Sequence, residues 1–121
     1  MNLIVPALQR SLNILLRQHW TKFAKQQAVF DMLLHQAYFN RKCRTKDFKG
    51  KTVKITYTLY FPDKRKRDYS NYAQKMLDDS LVKEGIIDDD NSNVVVEEVV
   101  RIRFDKDNPR TEILIEEAFL N

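Results

Sequence analysis

The chain has 121 residues, 43% apolar and 31% charged, which is the size and mix of one domain spanning residues 1–121. One cysteine excludes an internal disulfide and a multi-cysteine zinc site, and two glycines exclude the phosphate-binding loop and the dinucleotide fingerprint. The net charge of +4 averages two unlike halves: residues 1–67 hold 15 Lys/Arg against 3 Asp/Glu, and residues 68–121 hold 6 against 14. That asymmetry points to a polyanionic partner together with an acidic site. With only His19 and His35, a multi-histidine metal site is not expected, so any catalysis leans on carboxylates, lysines or hydroxyls.

In chain order, Leu3-Ile4-Val5 before Pro6 reads either as a short strand end or as an irregular start. Leu12–Leu16 is too short and interrupted for a signal peptide's apolar region, and no apolar run approaches the roughly 20 residues of a membrane span. From Trp20 to about Tyr38, Phe23, Phe30, Leu34 and Ala37 recur at helical steps with no Gly or Pro between them, which predicts an amphipathic helix. Arg41–Lys51 is a basic connector ending near Gly50. Thr52–Phe61 alternates, with Val53, Ile55, Tyr57, Leu59 and Phe61 on one face; it predicts a half-buried strand that Pro62 ends. A second helix is expected from about Ser70 or Asn71 to Lys83, with Gly85 as its C-cap residue. Val94–Phe104 reads as a long strand, bulged at Glu97-Glu98 where the alternation slips. Asp107-Asn108-Pro109 predicts a turn and Thr111–Glu117 a last strand, the two strands forming a hairpin. The expectation is a small α/β (α+β) domain, a mixed sheet with two main helices packed on it.

Two segments carry chemistry. Lys64-Arg65-Lys66-Arg67 places four adjacent cations at the exit of a strand, directly before Asp68. A solvated loop is one reading; the other is a phosphate backbone, which would neutralise mutually repelling charges and release counterions. Asp88-Asp89-Asp90 follows Gly85-Ile86-Ile87. It reads either as an acidic turn or as a site for Mg²⁺, a hard ion that prefers oxygen ligands. If the second helix begins near Asp68, Asp68, Lys75 and Asp79 share one stripe. There Lys75 pairs with Asp79 as a surface i, i+4 contact, or stabilises phosphate charge or protonates a leaving oxygen.

Pro62–Lys75, followed by Leu77-Asp78, Leu81, Gly85-Ile86-Ile87 and Asp89-Asp90, resembles the RusA family of Holliday junction resolvases. The family pattern is a basic run, Asp-x-Asp-Asn, a lysine on the following helix and a Gly-x-x-x-Asp-Asp loop. Ser11-x-Asn13, with Arg17 and His19-Trp20, resembles the family's opening. The resemblance implies a small endonuclease, often prophage-encoded and expected in the cytoplasm. It implies catalytic Asp68, Asp90 and Lys75, with Mg²⁺ (or Mn²⁺) held by Asp68 and Asp90 with Asp89. DNA would meet Lys64, Arg65, Lys66 and Arg67, with Arg17 and Asn13. The implied partners are four-way junction DNA and a second copy of the chain, with no membrane and no small-molecule organic cofactor.

Two positions depart from the pattern. Ser70 stands where the family carries its second aspartate, so either Asp78, Asp63 or Asp88 compensates or the metal site is weakened. In ungapped register the helix lysine falls on Gln74, one place before Lys75; the helical stripe favours Lys75. The alternative function is therefore a junction or single-strand binding protein without cleavage, with Tyr69 and Tyr72 available to stack on bases.

Overall fold

The structure is a computed structural model, describing residues 1–8, 20–40, 48–69 and 74–119. Its elements run β1 (Asn2–Val5), α1 (Trp20–Phe39), β2 (Val53–Phe61), α2 (Lys75–Lys83), β3 (Val95–Phe104) and β4 (Arg110–Glu117). The strands form one mixed sheet in the order β1-β4-β2-β3, giving the expected α+β fold with two helices. Leu3-Ile4-Val5 is a strand, paired antiparallel with β4.

All five apolar positions of the β2 alternation are buried. Val53, Ile55 and Tyr57 pack with Ile113 and Ile115 of β4, Leu3 and Val5 of β1, Phe30 and Leu34 of α1, and Leu77 and Leu81 of α2. Both helices therefore cover one face of the sheet. Leu59 and Phe61 continue that face as a smaller cluster reaching Val100 and Ile102 of β3. On the other face, Ile4 and Leu114 are exposed.

The hairpin expected of the last two strands does not form. β3 pairs with β2 in parallel and β4 pairs with β2 antiparallel, so β2 lies between them. The apolar face of β2 suits a central strand, and the β2–α2–β3 crossover brings β3 back alongside it. The 105–109 link then arches over β2, spanning two strand spacings or about 9.6 Å. It is pinned where Asp105 N–H donates to the Phe61 carbonyl at 2.8 Å and Arg110 meets Asp105 at 2.7 Å.

The bulge exists, one residue earlier than expected. Val53 pairs with Val95 but Lys54 pairs with Glu97, leaving Val96 as the extra residue. From there Glu98 aligns with Ile55, and Val100 with Tyr57, so Glu98 lies on the helix-covered face.

Candidate active site

The end of α2 sets the position of the acidic loop. Gly85 adopts φ +79°, a left-handed conformation that glycine takes without a Cβ penalty. Its N–H donates to the Val82 carbonyl and that of Ile86 to Leu81, each at 3.0 Å. This is the paired-bond Schellman ending, with Ile86 and Leu81 both buried in the same core cluster. The chain turns back towards β3, and the three aspartates that follow take separate tasks. Asp88 accepts from Gly50 N–H at 2.7 Å, tying the loop to the segment before β2. Asp89 accepts from Asp90 N–H at 2.7 Å, shaping the turn. Asp90 faces Lys75, with Nζ to Oδ2 at 2.7 Å.

Lys75 opens α2, where the helix dipole disfavours a cation. Two carboxylates hold it there, Asp90 and, one turn on, Asp79 at 3.0 Å. The hydrogen bond to Asp90, then that to Asp79, raises the lysine's pKa, so the ammonium stays charged. Lys75 in turn lowers the pKa of Asp90. Both groups are ionised at neutral pH.

Behind this pair lies a groove between α2 and β3. Asp78 is 6% exposed and accepts a hydrogen bond from the hydroxyl of Tyr57, which is fully buried. Glu98 enters from β3. Burial first, then its hydrogen bond with Asp78 and the negative charges of Asp78 and Asp90, push its pKa up to about 8. Burial and Asp78 likewise push the Tyr57 hydroxyl well above the ordinary tyrosine value. At neutral pH Glu98 is thus largely protonated, hydrogen-bonded to the Asp78 carboxyl. The groove gathers Asp78, Asp90 and Glu98, and Lys75 pairs with Asp79 and Asp90.

The basic run is not uniform. Arg67 folds back into its own loop, with a side chain 13% exposed. It donates to Asp63 Oδ1 at 2.8 Å and to the carbonyls of Asp63 and Arg65 at 3.2 and 3.1 Å. Its guanidinium also stacks 3.9 Å over the Phe61 ring. Lys64, Arg65 and Lys66 point outward. Arg67 shapes the loop that presents the other three.

Of the expected site residues, Lys75 and Asp90 are brought together. Asp68 is exposed at the end of the basic loop, and no hydrogen bond or ion pair links it to either of them. Asn13, Arg17, His19, Ser70, Asn71 and Tyr72 lie outside the described residues. Glu98 is the site member missed by sequence reasoning, where it counted only as part of a slip in alternation. The even positions 96, 100, 102 and 104 are all apolar. A lone carboxylate on that face was the available signal.

A family model described as endodeoxyribonuclease RusA matches residues 15–116. The chain belongs to the RusA family. It is therefore a nuclease of the family whose activity is Holliday junction resolution on branched DNA with a divalent metal. The match runs from before α1 into β4 and covers the basic run, Lys75 and the acidic loop. A search of curated proteins finds no match. No helix among the described residues is long and apolar enough to cross a membrane.

The groove's donors can be compared with what a RusA metal would need. Among the described residues no three His, Cys, Asp or Glu side chains form a metal-holding group. The donors at its mouth are nevertheless carboxylate oxygens. Mg²⁺ characteristically uses one or two of these and fills its octahedron with water and substrate phosphate. The donor chemistry fits such a cation.

Proposed function

We propose that this RusA chain is a Mg²⁺-dependent (or Mn²⁺-dependent) endonuclease that resolves four-way DNA junctions by paired phosphodiester cleavage. The observation that carries the reading is the meeting of Lys75 and Asp90 at 2.7 Å, from elements 15 residues apart, at the mouth of a carboxylate groove. Asp90 and Asp68, with Asp89, would hold the metal. When bound, the cation orients water and offsets charge on the scissile phosphate.

The chain's own groups do the rest. Lys75 exchanges its carboxylate partners for a phosphate oxygen, where its charge stabilises the transition state or its proton reaches the leaving oxygen. Tyr57 and Glu98 hold Asp78 by hydrogen bonds, keeping that flank of α2 in place beneath Lys75. Lys64, Arg65 and Lys66 hold the neighbouring backbone, and Arg17 and Asn13 add contacts from the preceding segment; these position rather than read sequence. Two symmetric cuts on a two-fold junction call for two sites, hence a homodimer.

The test is cleavage of a labelled four-way junction in Mg²⁺ or Mn²⁺, with Asp68→Asn and Asp90→Asn compared for cutting and for binding. Cleavage by the natural chain, lost in both variants while junction affinity survives, supports the reading. Binding without metal-dependent nicking favours the alternative of a junction-binding protein, to which the substitution at Ser70 lends support. Loss of binding in both variants would make the two aspartates structural.

A further inference from the structure

We propose that the outward face of edge strand β3, through Arg101 and Arg103, grips the phosphate backbone of a DNA arm other than the one being cut. The proposal rests on the nuclease reading only in taking DNA as the ligand. Among the described residues β3 pairs with β2 alone, which makes it an edge strand. Register places Glu98 beside Ile55 on the helix-covered face, and Arg101 and Arg103 beside Thr58 and Tyr60 on the opposite one. A single strand thus carries the carboxylate groove on one side and two arginines on the other.

Those arginines differ from their neighbour across the sheet. Arg110 is consumed internally: its guanidinium meets Asp105 and Glu112, each at 2.7 Å, and lies 3.8 Å over the Tyr60 ring. Arg101 and Arg103 are exposed. Among the described residues, neither has a carboxylate within ion-pair distance, and the Arg103 side chain donates only to its own strand, at the Ile102 carbonyl. The nearby carboxylates are already engaged, Glu97 with Lys54 and Glu112 with Arg110. The basic loop reaches the same end of β3 from the other face, where Lys64 Nζ stands 5.0 Å from the ring centroid of Phe104, which aligns with Phe61 on the helix-covered side.

The chemistry selects a phosphate backbone. Guanidinium is a planar fork that bonds phosphate oxygens in pairs and sheds its hydration more readily than an ammonium. Residues i and i+2 of a strand stand about 6.7 Å apart, close to the spacing of neighbouring phosphates on one nucleic-acid strand. A branched substrate offers several arms. The loop at Lys64–Lys66 meets one face of the end of β3 and the two arginines stand on the other, so that two arms could be held at once.

The experiment uses the full chain and a labelled four-way junction, with binding measured in chelator across a salt series. Arg101→Gln/Arg103→Gln should weaken binding about tenfold and make the slope of log K against log salt shallower by about 1.8, that is 0.9 per phosphate contact. Its melting temperature and its cleavage rate at saturating junction should match the natural chain. Arg101→Lys/Arg103→Lys should keep the salt slope. An unchanged slope in the Gln pair overturns the proposal; so does a lowered melting temperature, or altered self-association at constant slope, which would assign the arginines to guarding the strand edge or to a dimer contact. If the natural chain binds junctions without cutting them, the cleavage reading falls while this test stands. If it does not bind them, both fall.

Discussion

Helix α2 has two polar flanks with opposite electrical characters. Towards α1, Asp31 accepts from Gln27 at 3.0 Å and from the Ser80 hydroxyl, and pairs with Lys83 at 3.0 Å. Gln27 also donates to the Met76 carbonyl and to Ser80, and one turn beyond Asp31, His35 meets Glu84. This seam sets Asp31 against Lys83 and Glu84 against the His35 ring, and closes on itself. Towards β3, Asp79 and Asp90 share Lys75, Asp78 and Glu98 crowd behind them, and Glu98 keeps a proton to relieve the crowding. Charges that hold helices together are matched inside the fold. Charges left in excess at a groove mouth await a partner from outside.

Carboxylate-to-amide substitutions sharpen this contrast, because the two flanks should respond differently. The largest effect is expected of Asp90→Asn: metal-dependent junction cleavage falls by about 10²–10³-fold, while melting, followed by circular dichroism, shifts only slightly. A collapse of melting with cleavage per folded molecule intact would make the groove structural. Asp31→Asn should do the reverse, costing about 1–2 kcal/mol of stability in denaturant titration with cleavage per molecule unchanged. Burial raises the pKa of Asp31, but hydrogen bonds from Ser80, Lys83 and Gln27 together outweigh it, so the net shift is downward. The contribution is therefore full above the unfolded value of 3.8 and is lost as pH falls through the folded one. The penalty of the variant should shrink accordingly in acid.

Glu98→Gln should have the opposite sign. Its folded pKa of about 8 lies above the ordinary 4.5, so between those values the folded chain binds more protons and loses stability as pH rises. In chelated buffer the variant should melt with the natural chain near pH 4.5 and a few degrees above it by pH 8.5. A flat difference across that range would contradict the crowded groove. Smallest of all, Lys83→Met should change stability by under about 0.5 kcal/mol, since that lysine's side chain is 73% exposed.

The sequence revealed whatever a single element decides alone. The alternation of Val53 to Phe61 named the buried face of β2, and Gly85 named the end of α2, because both depend on local geometry. Strand pairing was not legible. Asp107-Asn108-Pro109 is a plausible hairpin turn, and nothing within β3 or β4 states that β2 will lie between them. Lys75 and Asp90 were legible through motif order, and their contact depends on the α2 ending that Gly85 permits. Glu98 escaped because the bulge at Val96 resets the parity of everything after it. The role of Arg67 escaped too: adjacent cations look alike until one finds Asp63 and an aromatic ring.

The place of β1 in the sheet bears on the order of events during synthesis. Residues Asn2–Val5 pair with 111–114 of β4, and Thr111 donates to the Ala7 carbonyl across 104 positions. The first strand made must wait, unpaired, for the last, while β2, α2 and β3 can already form their crossover. Contacts so distant in sequence slow folding, and the ribosome lengthens the wait. The edge of the sheet furthest from the Lys75–Asp90 pair should therefore be the final piece to lock, after that pair has taken its place.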